Sequence, residues 1–420
     1  MDQSIGGTTG LDKRQVRANL AVIGSTFAIF LPGSLVFGFP GLMGSVWRDM
    51  LQIQSGALSY VMFFMLASLG IFMFFVGKWT ATIGVRKLMM IGTVMTSLAT
   101  LMIAFVANIW MIYLWAFMIG GASCFIYSPG INSVQRWFPE KRGLVSGIVN
   151  LTFGISAAIM VPIFRIMLDV IGYQTLCILM AILTLIVGLI ASQYTEIPEK
   201  VKGMQVSDNK AVKISNMNDQ NDFSPKEAMK TRSFWLIWSV WALMGAAGVT
   251  MVTLSVNLGL SRGFNLTAAA TILTAYNITN GVSRLVSGAI SDVIGRKVTL
   301  AITFIGAGIA YVLLPHASSL VMISLLAAMI GFGYGTLFSC SAPMISDCFG
   351  LKNFGIILGL VFTAYGFIAS IIGPAVSGYI LTITDGNYQI VFNYLAVFCL
   401  VSAILIMLVK TPIKENGKMA

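Results

Sequence analysis

Three observations on this 420-residue chain predict an all-α membrane protein: twelve transmembrane helices in two pseudo-symmetric six-helix bundles. The composition is 57% apolar and only 10% charged, with a mean hydropathy of +0.88, outside the range of soluble globular chains. Threaded as twelve crossings, the chain collects nearly all its basic residues on one side. Its two halves also share one spacing of glycine and proline.

A crossing needs about 20 mostly apolar residues. Such runs fall at 18–45, 55–76, 87–107, 110–134, 143–166, 171–193, 233–258, 267–290, 298–315, 318–342, 354–380 and 388–410. The first seventeen residues are polar and basic and the first apolar run is long enough to span, so no cleavable signal peptide is expected. Cys124, Cys177, Cys340, Cys348 and Cys399 lack ligand-type spacing. Neither disulfides nor metal sites nor a cofactor are expected.

An even number of spans puts both termini on one side. With the termini in the cytoplasm, 22 of the 26 Lys and Arg lie there, including Lys13, Arg14, Arg17, Lys78, Arg86, Lys87, Arg136, Lys141 and Arg142. Arg48, Arg165 and Arg262 fall outside. That asymmetry follows the positive-inside rule and predicts a multi-pass inner or plasma membrane protein. The net charge of +11 is then an orientation signal and an attraction to membrane lipids, with no nucleic-acid partner implied.

Gly143, Gly147, Gly154 and Pro162 recur 212 residues later as Gly355, Gly359, Gly366 and Pro374. Gly77 and Gly84 recur as Gly288 and Gly295, shifted by 211. Duplicated halves are common in transporters, with the substrate near the midplane between them. The expected division is an N-terminal bundle over 1–195, a linker over 196–232 and a C-terminal bundle with its tail over 233–420. The linker is polar, and near its end Ser224, Pro225 and Glu227 carry a capping-box pattern that predicts a short surface helix.

Arg284 is the one basic residue that this threading leaves inside the membrane. A charge at that depth costs roughly 2.5–3.5 kcal/mol on insertion scales and usually serves a buried polar site. Asn277, Asn280, Arg284, Ser287 and Ser291 share one helical face, while Ile278, Val282, Val286 and Ala289 fall on the other. The expectation is a fixed cation facing a water-accessible vestibule between the bundles, where it binds a small organic anion. Snorkelling to the interface is the competing account, but Asp292 lies eight residues on, about 12 Å along a helix.

Gly288-Ala-Ile-Ser-Asp292-Val-Ile-Gly295-Arg296-Lys297 resembles the G-x-x-x-D-x-x-G-R-K signature of the major facilitator superfamily. The resemblance implies a gating latch built on Asp292, Arg296, Lys297, Gly288 and Gly295. The first-half counterpart keeps Gly77, Gly84, Arg86 and Lys87 but has Ala81 in place of the acid, so the first latch is expected to be weak or absent. Arg136-Trp-Phe-Pro-Glu-Lys-Arg142-Gly143 resembles the segment after span four in the monocarboxylate transporter and oxalate:formate antiporter branch.

In that branch a lone span-eight arginine holds the substrate carboxylate and a span-four tyrosine lines the cavity, which Arg284 and Tyr127 match. Its dicarboxylate carriers have a span-eleven lysine in a T-A-K-x pattern, where this chain has Thr363-Ala364-Tyr365. One cation in a low-dielectric cavity suits one negative charge, since a second carboxylate would be left uncompensated. The expected substrate is therefore a monocarboxylate of the lactate, pyruvate, acetate or formate type. Arg284, Asn280, Asn277, Tyr127, Tyr334, Tyr365 and Phe37 are the candidate binding residues, although each tyrosine also suits plain packing.

All fifteen acidic residues fall in loops, helix ends or tails. Proton-linked uptake, with the proton travelling alongside the anion, is the leading expectation; anion exchange is the alternative. An intramembrane enzyme would need paired acids, histidines or a nucleophile–base pair in the spans, and none is there. A transporter-like membrane sensor is the rival of another class. The carrier is expected to work as a monomer.

Overall fold

The computed structural model describes residues 6–52, 60–198, 222–412, 414–415 and 418–419. The N-terminal half comprises α1 (Gly6–Phe37), α2 (Phe39–Leu51), α3 (Tyr60–Ile83), α4 (Val85–Ile103), α5 (Ile109–Trp137) and α6 (Arg142–Gln193). The second half begins with α7 (Pro225–Lys230) and α8 (Arg232–Ser261). It continues through α9 (Leu266–Ile294), α10 (Arg296–Leu313), α11 (Leu320–Phe349), α12 (Phe354–Thr363), α13 (Val376–Ile383) and α14 (Tyr388–Met407). A two-residue antiparallel ladder in the tail pairs Lys414 with Met419 and Glu415 with Lys418.

Eleven helical stretches among the described residues are long and apolar enough to cross a membrane. The twelfth crossing is α9. At 29 residues it is about 43 Å long at 1.5 Å per residue, and only its polar face keeps its hydropathy low. Ile278, Val282, Val286 and Ile290 on the opposite face are exposed, as a lipid-facing stripe requires.

Three elements differ from the run-length expectation. The first span ends at Phe37 rather than running to 45, because Pro40 starts a separate helix after Gly38. Spans five and six are one helical run broken at Gly172, whose φ of 76° and ψ of 170° turn the chain. Span eleven is not α-helical throughout. Pro374 has no N–H to give Ser370, and the chain makes π turns over Ala364–Ala369 and Ile371–Ala375. Tyr365 sits in the first of these.

Local signals at helix starts hold. Ser224 accepts from the Glu227 N–H at 3.3 Å while the Glu227 carboxylate accepts from the Ser224 N–H at 2.7 Å, so α7 opens with a complete capping box. Asn265 caps α9 by accepting from the Ala268 N–H at 2.9 Å. Residues 199–221, the greater part of the expected linker, lie outside the described residues.

The repeat becomes physical where the halves meet. A Cβ on Gly77 would overlap the peptide of Gly355, and one on Gly143 would overlap that of Gly288. Gly70 abuts Gly366, and Gly154 abuts Gly281. Under the 211–212-residue shift these are the same two contacts, made once between α3 and span eleven and once between α6 and α9. Small residues at these crossings let the backbones touch. Gly84 and Gly295, the equivalent turn positions, share left-handed φ values of 93° and 92° that only glycine adopts without strain.

Candidate substrate site and latch

Arg284 is fully buried, wedged between the halves where Gly147 and Gly154 of α6 approach it. Its guanidinium makes no ion pair among the described residues. Nε and Nη2 both donate to Asn280 Oδ1 at 3.3 Å, and Nη1 donates to the Asn150 carbonyl at 3.4 Å. Cζ lies 4.5 Å from the centroid of the Phe338 ring, a cation–π contact. A guanidinium has five N–H bonds, so two remain without a partner here. Asn280 holds the Nε edge, and the two unused N–H bonds lie on Nη1 and Nη2.

A small cavity of about 20 Å³, walled by both halves, lies next to Phe338, and Arg284 itself is not among its lining residues. Phe37, Tyr127 and Phe153 come from the first half, and Phe338, Phe362 and Tyr365 from the second. Phe338 links the two features, since its face carries Arg284 and it also lines the cavity. Tyr127 donates to Asn150 Oδ1 at 3.0 Å. The hydroxyls of Tyr334 and Tyr365 share a 2.6 Å hydrogen bond. Phe37 meets Phe153 edge-on at 5.1 Å.

Of the residues expected at the site, Arg284, Asn280, Tyr127, Tyr334, Tyr365 and Phe37 converge. Asn277 does not join the buried cluster; it is exposed, two turns from Arg284 on the same face. Arg284 faces no open vestibule in this structure, because α6 and α9 are packed together over it. Asn280 is turned to the guanidinium, which makes it a positioning group for Arg284.

Phe338, Phe362, Phe153 and Asn150 are additional members, as is Trp241, buried against Phe362 at 4.3 Å. A signal for Asn150 existed: it lies between Gly147 and Gly154, the glycines whose spacing marks the helix face toward the other half. The buried aromatics gave none, since nothing in their spacing separates cavity wall from ordinary core.

At the end of the bundle that carries the signature loop, Asp292 reaches across the halves. Its carboxylate accepts from the N–H groups of Gly143 (3.1 Å) and Leu144 (2.9 Å), capping the start of α6. It also pairs with Arg296. Asp347, at the end of α11, bridges Arg142 of the first half (3.3 Å) and Arg296 (3.4 Å). Arg136 donates to the Leu351 carbonyl at 3.0 Å, so the Arg-Trp-Phe-Pro segment also crosses the boundary.

Lys297 takes no part in this cluster. Its ammonium donates to the Val409 carbonyl at 3.0 Å, just beyond the C-terminus of α14. On the first-half side Ala81 is exposed and the buried Arg86 Nε has no hydrogen-bond partner among the described residues. The α3 junction is therefore closed by glycine packing, the α6–α9 junction by glycine packing plus charge.

Asp292→Asn should weaken this closure by about 1–2 kcal/mol, the worth of a charged cap and its partner, or roughly 5–30-fold in population. Cys348, only 4% exposed and adjacent to Asp347, reports it. In detergent its modification by a maleimide should accelerate by that factor, and an unchanged rate would mean the carboxylate caps α6 without holding the halves.

Two pseudo-symmetric helical bundles that enclose a buried cation and a cavity, with a cluster of ion pairs at one end, are the architecture of a polytopic membrane protein. The family model of the Major Facilitator Superfamily matches residues 21–265 and 236–418, and the chain belongs to that superfamily. It is a multi-pass integral membrane protein and a transporter rather than an enzyme.

The chain is 25% identical over 316 residues to the oxalate:formate antiporter of Oxalobacter formigenes, covering 73% of this chain and 71% of that one. It is 24% identical over 396 residues to human monocarboxylate transporter 10, covering 88% and 74% respectively. An uncharacterized MFS-type transporter of Escherichia coli, YhjX, is 24% identical over 295 residues, covering 69% and 71%. Among solved structures the proton:xylose symporter XylE superposes with a TM-score of 0.73 at 12% identity, over 94% of this chain and 96% of that one. That likeness concerns the fold alone.

Proposed function

We propose that the protein is a secondary active transporter of a small monocarboxylate, working by alternating access with the latch end in the cytoplasm. One observation carries this reading: the buried Arg284 guanidinium, without a carboxylate partner among the described residues, keeps two N–H groups unused and shares Phe338 with an aromatic cavity. A monoanion neutralises that charge; a dianion brings one desolvated charge too many. The printed functions of the oxalate:formate antiporter and the monocarboxylate transporter, which this chain resembles along most of its length, agree with a carboxylate substrate.

Alternating access has a structural basis in the two glycine-lined crossings. They let the halves rock about the site, and the Asp292 and Asp347 contacts hold one end shut. The proton in the leading reading crosses with the anion, since no acidic residue lies mid-span.

The same unpaired cation favours a second reading, anion exchange, because an empty carrier must bury Arg284 without a counter-charge in order to return. Uptake of labelled acetate into proteoliposomes tests both. Stimulation by an inward proton gradient supports symport, and stimulation by unlabelled acid inside supports exchange. Absence of saturable uptake of acetate, formate, lactate and pyruvate alike would remove the monocarboxylate assignment.

A further inference from the structure

The cavity wall contains three hydroxyl-bearing side chains, and their hydrogens are almost all committed elsewhere. Ser123 donates to the Gly120 carbonyl at 2.7 Å. Tyr127 donates to Asn150 Oδ1 at 3.0 Å. Tyr365 shares one hydrogen with Tyr334 across 2.6 Å, leaving a single phenolic hydrogen for the pair. The remaining wall is apolar, with Met65, Leu69, Phe153, Phe338 and Phe362 prominent in it. At about 20 Å³ the space takes one water-sized group, the size of a methyl.

From this we infer that the transported acid carries a short, unsubstituted aliphatic tail, and that Asn150 is the residue that enforces the choice. The inference rests on the monocarboxylate reading and names the substrate within it. With the carboxylate on the terminal edge of Arg284, the tail enters the cavity past Phe338. A keto oxygen at C2 only accepts hydrogen bonds and would enter a wall with almost no donor to offer. A C2 hydroxyl fares somewhat better, because it can give its proton to a phenol lone pair. An unsubstituted methyl end loses nothing there.

Asn150 acts through Tyr127. Its side-chain amide is fixed by donation to the Ser146 carbonyl at 2.9 Å, which presents Oδ1 to the phenol. The tyrosine hydrogen is thereby drawn out of the cavity. The contact of residue 150 with Arg284 is made by the peptide oxygen, which a substitution of the side chain retains. Specificity and charge binding are thus separable at this position.

The test is competition by propionate, lactate and pyruvate against labelled acetate uptake in proteoliposomes. It compares the native protein, Asn150→Leu, Tyr127→Phe and the double variant. The native carrier should be inhibited by propionate at about 10–100-fold lower concentration than by pyruvate, with lactate between them, the range a hydroxyl or methyl difference commands in such a pocket.

Asn150→Leu should release the Tyr127 hydroxyl and narrow the propionate–pyruvate gap by about tenfold, while Asn150→Leu with Tyr127→Phe should keep the native gap. Pyruvate or lactate competing as well as propionate in the native protein overturns the inference while leaving the monocarboxylate reading intact. So does a gap that narrows equally without the phenol, since that change would be one of packing. Failure of every acid to compete, in a carrier that takes up no acetate, overturns both together.

Discussion

Arg284→Ala is expected to lower monocarboxylate uptake by at least 100-fold while folded protein still reaches the membrane. The guanidinium offers two free N–H groups to a carboxylate, and charge-assisted bonds are worth roughly 1.5–3 kcal/mol each. Losing both removes about two or more factors of ten in affinity. Stability should not suffer in proportion. Arg284 is buried without a counter-ion among the described residues, and its removal relieves a desolvated charge while freeing only Asn280 Oδ1 and one peptide carbonyl.

Arg284→Lys should fail nearly as badly, because an ammonium cannot grip Asn280, the Asn150 carbonyl and a forked carboxylate together. Size-exclusion profile and thermal melting of the purified variants, measured beside uptake, separate the two effects. Uptake near the native level in the Ala variant would sink the assignment of Arg284 as the anion anchor.

How far the sequence revealed this arrangement depends on which forces set each feature. The spans were legible because the bilayer imposes length and apolarity on every crossing. Arg284 stood out for the converse reason: a charge there is costly enough to need a cause. The glycine repeat showed which positions are equivalent, and the observed pairs Gly77–Gly355 and Gly143–Gly288 are equivalent under it.

What stayed hidden depends on how one half sits against the other. Asp347 lies outside the signature, in a stretch of α11 with no motif, and it joins the ion-pair cluster because Arg296 and, from α6, Arg142 both reach it. Lys297 follows Arg296 in sequence but projects from the next position around α10, toward Val409. The π turn that holds Tyr365 was not legible because Pro374, the one helix breaker nearby, lies in the next π segment and is tolerated in membrane helices.

Tyr365→Lys should convert the carrier's preference from monoanions toward dianions such as oxalate or malonate. Tyr365 lines the cavity and packs perpendicular to the ring of Phe338, over which Arg284 lies, with ring centroids 5.7 Å apart. A lysine there places a second cation about one ring's breadth from the first. Like charges held roughly 7 Å apart at an effective dielectric of about 20 repel by about 2 kcal/mol. A monocarboxylate neutralises only one of them and a dianion both, so the ratio of dianion to monoanion affinity should rise by about tenfold or more.

A dianion compensates both charges, and oxalate, which should not compete in the native carrier, should become an effective competitor of acetate uptake. The lost Tyr334–Tyr365 hydrogen bond is a confounding change. Tyr365→Phe removes it without adding charge and should leave oxalate excluded. If oxalate competition stays absent in the lysine variant while the variant still folds and binds acetate, matching of fixed charge does not set the valence of the substrate. Selectivity would then have to come from the shape of the aromatic wall alone.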